Sequence, residues 1–226
     1  KKFNQKAPPP DHPPIAKHAV DFIIETVLAN PGEITLVATG PLTNLAMAFL
    51  QEPKLGPALK RMALLGGCFS TPGNMTPASE YNIWADPEAA RIVLTQEVEK
   101  ILVPLDVCED NRAATSMMTR DDISDMVFDA RDNPVVAMIA DTFPIYVDIW
   151  RDFFDLVGFP MDDVITVALA FQPDLCTYSE PLYCEVALDG WLTRGQTVAW
   201  RGRQILKGGG PKTTRIAQTI DGTNSR

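Results

Sequence analysis

A short polar segment with two amides and one carboxylate is the part of this sequence best suited to chemistry. Its candidate residues are Asn74, Glu80 and Asn82, and Asp86-Pro87 then predicts a helix start, since aspartate caps helices and proline suits the first turn. Amides and a carboxylate together supply the donors and acceptors that the hydroxyls of a sugar require. The segment therefore predicts a polyhydroxylated ligand. The alternative is that these side chains only satisfy their own backbone.

The elements that must position this segment belong to an α/β fold. Short apolar strands are predicted at 34–38, 62–65 and 101–105, with helices at 15–29, 41–50, 87–95, 120–129, 134–154 and directly after 162–163. Continuous apolar strands between helices indicate an open, mostly parallel sheet with flanking helices on both faces. Segments 183–188 and 196–201 predict a C-terminal β-hairpin. Proline-rich residues 1–14 predict a flexible lead-in, and 15–226 a single domain.

The order of these elements also predicts where a ligand would bind. In open parallel sheets, ligands lie beyond the carboxyl ends of the strands. Thr39-Gly40 follows the first predicted strand, Gly66-Gly67 the second and Asp106 the third. Because the polar segment leaves the second strand at the same edge, we expect it to border a pocket there.

Composition excludes several classes of partner. The 226-residue chain carries a formal net charge of −9, which argues against a nucleic-acid partner because phosphates require a basic surface. No apolar run approaches the roughly 20 residues needed to span a bilayer, and no signal peptide is visible, so we expect no membrane partner and a cytoplasmic location. The four cysteines form no Cys-x-x-Cys pair and are expected to be reduced.

Four ordered motifs resemble those of the inosine-uridine preferring nucleoside hydrolases. They are 34–46 (ITLVATGPLTNLA), 64–67 with 73–74, 80–82 continuing to 86–90, and 192–198 (LTRGQTV), and the resemblance extends from about His18 to Arg203. It implies hydrolysis of the N-glycosidic bond of ribonucleosides to ribose and free base, through an oxocarbenium-like transition state. It also implies one bound Ca²⁺, a small-molecule nucleoside as ligand, and a homodimer or homotetramer.

The resemblance implies a role for particular residues of this chain. Metal binding is implied for Thr39 and Asp163, ribose contact for Asn74, Glu80, Asn82 and Leu65, nucleobase contact for Tyr146 and Trp150, and possible leaving-group protonation for Asp162. Asp162 stands where many members carry histidine. The alternatives are a plain turn at Thr39, a helix N-terminal carboxylate at Asp163, and core packing for the two aromatic residues. Asp106 is interpreted as structural.

Two features of the family are absent from the sequence. The Asp-x-Asp-x-x-x-Asp-Asp motif, which supplies the general base and most Ca²⁺ ligands in the family, does not occur in it, nor does the closing helix. We therefore expect a nucleoside hydrolase domain that is incomplete at both ends, with the general base in a further N-terminal segment. The alternative is a catalytically inactive truncated homologue that acts as a ligand-binding or interaction subunit.

Overall fold

A computed structural model of the chain describes residues 13–109, 116–201 and 209–220. Its α-helices are α1 (Ala19–Ala29), α2 (Thr43–Gln51), α3 (Leu55–Ala58), α4 (Tyr81–Ala85), α5 (Pro87–Leu94), α6 (Leu105–Cys108), α7 (Arg120–Asp129), α8 (Pro134–Phe154) and α9 (Asp162–Phe171). Its strands are β1 (Thr35–Ala38), β2 (Arg61–Leu65), β3 (Lys100–Val103), β4 (Met117–Met118), β5 (Phe159–Pro160), β6 (Cys176–Tyr178), β7 (Cys184–Val186), β8 (Thr197–Ala199) and β9 (Thr214–Ile220). Most of the predicted lead-in, 1–12, lies outside the described residues.

The central sheet has five strands in the order β1-β2-β3-β9-β6. Strands β1, β2, β3 and β9 are parallel, and β6 runs antiparallel to β9. This confirms the predicted open, mostly parallel sheet with flanking helices. The predicted C-terminal hairpin is also present, as the antiparallel pair β7 and β8. Strand β9 was not predicted, and it joins the sheet beside β3 rather than extending the hairpin.

Alternate side chains of the central strands face two separate cores. Met62, Leu64 and Leu102 pack into one core together with α1, α2 and α5. Ile101 and Val103 face the opposite side, where α9 covers the sheet. Both cores are needed because a parallel strand buries both of its faces. The sheet is therefore covered on both faces.

Several helix boundaries follow directly from capping residues. Helix α7 begins with a capping box between Thr119 and Asp122, and α8 begins at Pro134 after the cap residue Asn133, both at the predicted positions. Asp86 caps α5 as predicted, through Ala89 N. The first helix begins at Ala19 rather than at residue 15, because the side chain of His18 caps it.

Two candidate residues lie in short helices, α4 and α6, that were not predicted. Asn82 lies in the short helix α4 rather than in a loop, because the side chain of Glu80 caps that helix. Asp106 lies in α6 rather than directly after a strand, because β3 already ends before Pro104. In the described ranges, no helix is both long and apolar enough to cross a membrane.

Candidate active site

The ends of β1 and β2 meet at the side chain of Asn82. Its amide Nδ2 donates to the carbonyl oxygens of Thr39, at 3.4 Å, and of Leu65, at 3.3 Å. Thr39 directly follows β1 and Leu65 ends β2, so the amide joins the two strand ends. The structure therefore brings these three predicted residues together at the carboxyl edge of the sheet, where open parallel sheets bind ligands.

Glu80 is a buried carboxylate whose two oxygens accept three backbone N–H groups. Oε2 accepts from Gly67, at 3.0 Å, and from Ile83, at 3.1 Å, while Oε1 accepts from Asn82, at 2.8 Å. Burial raises the pKa of Glu80, although these three hydrogen bonds oppose the rise. The side chain thus fixes the start of α4 and ties it to the loop after β2. A carboxylate has about four lone-pair sites, so acceptor capacity remains for a ligand hydroxyl.

Asn74 lies on the more exposed side of the same loop. Its Oδ1 accepts a hydrogen bond from Tyr81 N at 2.9 Å, so its amide nitrogen is the part that can reach a ligand. The loop folds tightly against itself at Gly73, where a Cβ atom would come within 2.3 Å of the carbonyl oxygens of Thr76 and Ser79. Asn74 and Glu80 therefore do satisfy backbone groups, as the alternative interpretation expected.

A second group of predicted residues lines a cavity of about 280 Å³ near the start of α9. Trp150, Asp162 and Asp163 are in its wall, together with the apolar side chains of Phe143, Phe159, Pro160, Met161 and Val164. Tyr146 packs against this wall, with its ring centroid 5.6 Å from that of Phe159. The lining is thus mostly apolar, with the three aromatic rings of Phe143, Trp150 and Phe159, and it includes two carboxylates. Such a lining can hold a flat heterocyclic ring by stacking.

Asp162 is a partly buried carboxyl group in an unusual electrostatic setting. One of its oxygens, Oδ1, is buried and has no hydrogen-bond partner. Burial, together with the charges of Asp163 and Glu80, raises the pKa of Asp162 to about 6, against the opposing effect of a hydrogen bond from Cys108. A carboxyl group with such a pKa is protonated more often near neutral pH than an ordinary aspartate. Proton donation to a ligand in the cavity is therefore chemically accessible to this group.

Glu109 is a further acidic residue of this region that sequence reasoning missed. It lies just after α6, and its Oε1 is buried without a hydrogen-bond partner. Burial, together with the charges of Asp162 and Glu80, raises the pKa of Glu109 to about 7. These couplings place three carboxyl groups within electrostatic reach of one another. No motif spacing marks Glu109, because the packing of α6 near α9 brings it here.

Asp106 has a purely structural set of partners. Its carboxylate accepts the backbone N–H groups of Phe69, Ser70 and Thr71, at 2.8, 2.6 and 3.2 Å. These bonds fix the start of the loop that leads to Asn74. The structure therefore agrees with the interpretation of Asp106 as structural rather than metal-binding.

The residues described here do not by themselves fit a Ca²⁺ site. Across 13–109, 116–201 and 209–220, no three His, Cys, Asp or Glu side chains gather closely enough to hold a metal ion. The predicted ligands Thr39 and Asp163 offer one carbonyl and one carboxylate, whereas Ca²⁺ takes 6–8 oxygen ligands. We therefore assign no chemical step to a metal on the basis of these residues.

The fold and the residues at this edge define an α/β protein with a group of polar side chains at the carboxyl ends of β1 and β2. Comparison with known proteins narrows the class. The family model described as inosine-uridine preferring nucleoside hydrolase matches residues 3–225. The chain therefore belongs to the inosine-uridine preferring nucleoside hydrolase family.

Two curated relatives illustrate the similarity. "Probable uridine nucleosidase 2" of Arabidopsis thaliana is 35% identical over 222 residues, which are 96% of this chain and 66% of that protein. The pyrimidine-specific ribonucleoside hydrolase RihB of Shigella sonnei is 34% identical over 204 residues, 90% of this chain and 61% of that protein. The chain thus spans somewhat less than two thirds of the length of these two relatives.

Solved structures of the family have the same fold. A plant nucleoside hydrolase, PpNRh1, superposes with a TM-score of 0.82 at 30% identity, covering 96% of this chain and 67% of the plant chain. A purine-preferring ribonucleoside hydrolase from Gardnerella vaginalis gives a TM-score of 0.79 at 29% identity, covering 94% of this chain and 64% of the other.

Proposed function

We propose that this chain forms the ribose- and base-binding part of an enzyme that hydrolyses the N-glycosidic bond of ribonucleosides. In that reaction water adds to the anomeric carbon, the carbon–nitrogen bond breaks, and the base leaves with a proton. The observation that carries the proposal is the meeting of Asn82 with Thr39 and Leu65, next to the buried Glu80. Family membership supplies the reaction class.

The ribose is proposed to lie on the polar side of the site. Asn82, Glu80 and the amide nitrogen of Asn74 would hydrogen-bond its hydroxyl groups, and Leu65 would pack against the sugar. Glu80 is supported in this role by its backbone hydrogen bonds, which hold the carboxylate in one orientation before a ligand arrives. Preorganised acceptors of this kind favour the charge that develops on the sugar in the transition state.

The nucleobase is proposed to occupy the cavity that Trp150 and Asp162 line. Trp150 would stack on the base, and Tyr146 would contact it from the same helix. Asp162 would then donate the proton that the departing base requires, in the place of the family's usual histidine. Its position in the wall of the same cavity as Trp150 supports this role.

Ca²⁺ is proposed as the metal of the complete site, with Thr39 O and Asp163 among its ligands. Bound Ca²⁺ would supply positive charge near the sugar hydroxyls and the attacking water. The remaining ligands and the general base are proposed to come from an Asp-x-Asp-x-x-x-Asp-Asp segment outside this sequence. By resemblance we also propose a homodimer or homotetramer, which light scattering coupled to size-exclusion chromatography can test.

A non-catalytic role is the second candidate function. It is favoured because, within 13–109, 116–201 and 209–220, no three His, Cys, Asp or Glu side chains gather closely enough to hold a metal ion. A protein of this kind would bind ribonucleosides through Asn82, Glu80 and Trp150 without cleaving them.

One pair of measurements separates the two functions. Ribose release from uridine and from inosine would be measured on the full-length gene product, with Ca²⁺ and with a chelator, and nucleoside binding would be measured by calorimetry. Release that requires the metal supports the hydrolase, and binding without release supports the second function. If the protein shows no nucleoside binding and no ribose release, both proposals are refuted.

A further inference from the structure

Two buried hydroxyl groups join the C-terminal hairpin to the loop that carries the ribose-binding candidates. Thr197, on β8, donates from Oγ1 to Cys68 O at 2.7 Å and accepts from Cys68 N at 3.0 Å. Ser79 donates from Oγ to Gly195 O, just before β8, at 2.9 Å. Both side chains are buried, with exposed fractions of 4% for Thr197 and 0% for Ser79.

The C-terminal hairpin and the loop after β2 approach so closely that glycine is required at the contacts. Gly67 and Gly195 both have φ of +84°, a conformation that other residues rarely adopt. A Cβ atom on Gly67 would come within 2.8 Å of Thr197, and one on Gly195 within 2.3 Å of Ser79 Oγ. A residue larger than glycine therefore does not fit at either contact unless the neighbouring side chain moves.

These contacts hold both chain segments that determine the orientation of Glu80. Thr197 fixes Cys68, whose neighbour Gly67 donates its N–H to Glu80 Oε2. Ser79 directly precedes Glu80 in the chain. We propose that Thr197 and Ser79 are positioning residues, through which the hairpin formed by β7 and β8 fixes the Glu80 carboxylate for the ribose. This inference rests on the proposed function only in its second part, namely that Glu80 binds ribose.

Isosteric substitution separates the hydroxyl from the packing of Thr197. Thr197→Val keeps the shape but leaves the buried N–H and C=O of Cys68 unpaired, whereas Thr197→Ser keeps the hydroxyl. Thr214→Val is the matched control, because Thr214 is an equally buried threonine on β9, outside the loop. Ser79→Ala removes the hydrogen bond from Ser79 Oγ to Gly195 O. It tests the inference independently if Thr197→Val does not fold.

Hydrogen exchange tests the structural part of the inference without any need for a ligand. We expect the amides of Gly67, Cys68, Asn82 and Ile83 to exchange about tenfold faster or more in Thr197→Val, since buried groups lose their partners. Thr197→Ser and Thr214→Val should leave these rates within about twofold of wild type. Unchanged exchange of these amides in both Thr197→Val and Ser79→Ala would overturn the inference.

Calorimetric titration with uridine and inosine tests the functional part. A positioning role predicts that the Kd of the folded Thr197→Val protein rises about tenfold, that Thr197→Ser restores it, and that Thr197→Val adds little in a Glu80→Gln background. A merely structural role would lower the binding stoichiometry and leave the Kd unchanged, and that result would overturn the inference. If the wild type binds neither nucleoside, the proposed function fails, while hydrogen exchange still decides whether the hairpin holds the loop.

Discussion

Replacing Glu80 with glutamine should destabilise the protein and weaken nucleoside binding together. The amide oxygen of Gln can take over the bonds of one carboxylate oxygen, best Oε2 with its two N–H donors. The amide NH₂ would then face the N–H of Asn82, so one charge-assisted hydrogen bond becomes a contact between two donors. Losing such a bond costs about 1.5–3 kcal/mol, and relief from burying a charge offsets part of it.

We therefore expect a net loss of about 2 kcal/mol in unfolding free energy for Glu80→Gln. For a chain of this size, that corresponds to a thermal midpoint lower by about 4–8 °C. Nucleoside Kd should rise at least about tenfold, since a charged acceptor for the ribose is lost. Glu80→Ala should be worse in both respects, because all three N–H groups lose their acceptor.

Calorimetric unfolding and nucleoside titration provide the assays. Glu99→Gln is the matched control, because Glu99 is exposed and pairs with Arg215 at the surface, and it should leave both quantities nearly unchanged. A Glu80→Gln protein with wild-type stability and wild-type Kd would refute the account of this carboxylate.

Three further predictions concern other residues. Trp150→Ala should raise the nucleoside Kd about tenfold and Trp150→Phe by less, because stacking on the base is lost or reduced; equal Kd values for all three proteins would argue against base contact. In the full-length gene product, Asp162→Asn should slow the release of uracil from uridine by about a hundredfold but leave the hydrolysis of a nitrophenyl riboside nearly unaffected, since nitrophenolate departs without protonation; equal slowing would exclude the acid role. Burial lowers the pKa of Lys100 to about 8. Between about pH 8 and the usual pKa of a lysine, this side chain is therefore protonated in the unfolded protein and has lost its proton in the folded protein. The unfolding free energy of the wild type, relative to Lys100→Met, should therefore rise by about 1 kcal/mol from pH 8 to pH 9 in denaturant titrations, and a flat difference would contradict this sign.

Elements whose ends carry local signals could be predicted from the sequence. Helix α8 begins at Pro134 after Asn133, and α5 begins after Asp86, because each cap bonds to a backbone group only a few residues away. The strands before Thr39 and Gly66 were recognisable as continuous apolar runs. Thus the sheet and its carboxyl edge followed from local patterns, and with them the place proposed for the site.

Features formed by residues far apart in the chain could not be predicted in this way. The bond between Thr197 and Cys68 joins positions 129 residues apart, and no local pattern predicts it. Glu109 joins the acidic group only because α6 packs near α9. Helix α4 is too short for a periodic apolar pattern, so the capping role of Glu80 became apparent only in three dimensions.

The central claim is that the carboxyl edge of the sheet binds the ribose of a nucleoside. A crystal structure of the protein with a non-hydrolysable ribonucleoside analogue tests this most directly. The account predicts that ribose hydroxyls lie within hydrogen-bond distance of Asn82 and Glu80, with the base against Trp150. An analogue bound elsewhere, or a ribose out of reach of both Glu80 and Asn82, would contradict it.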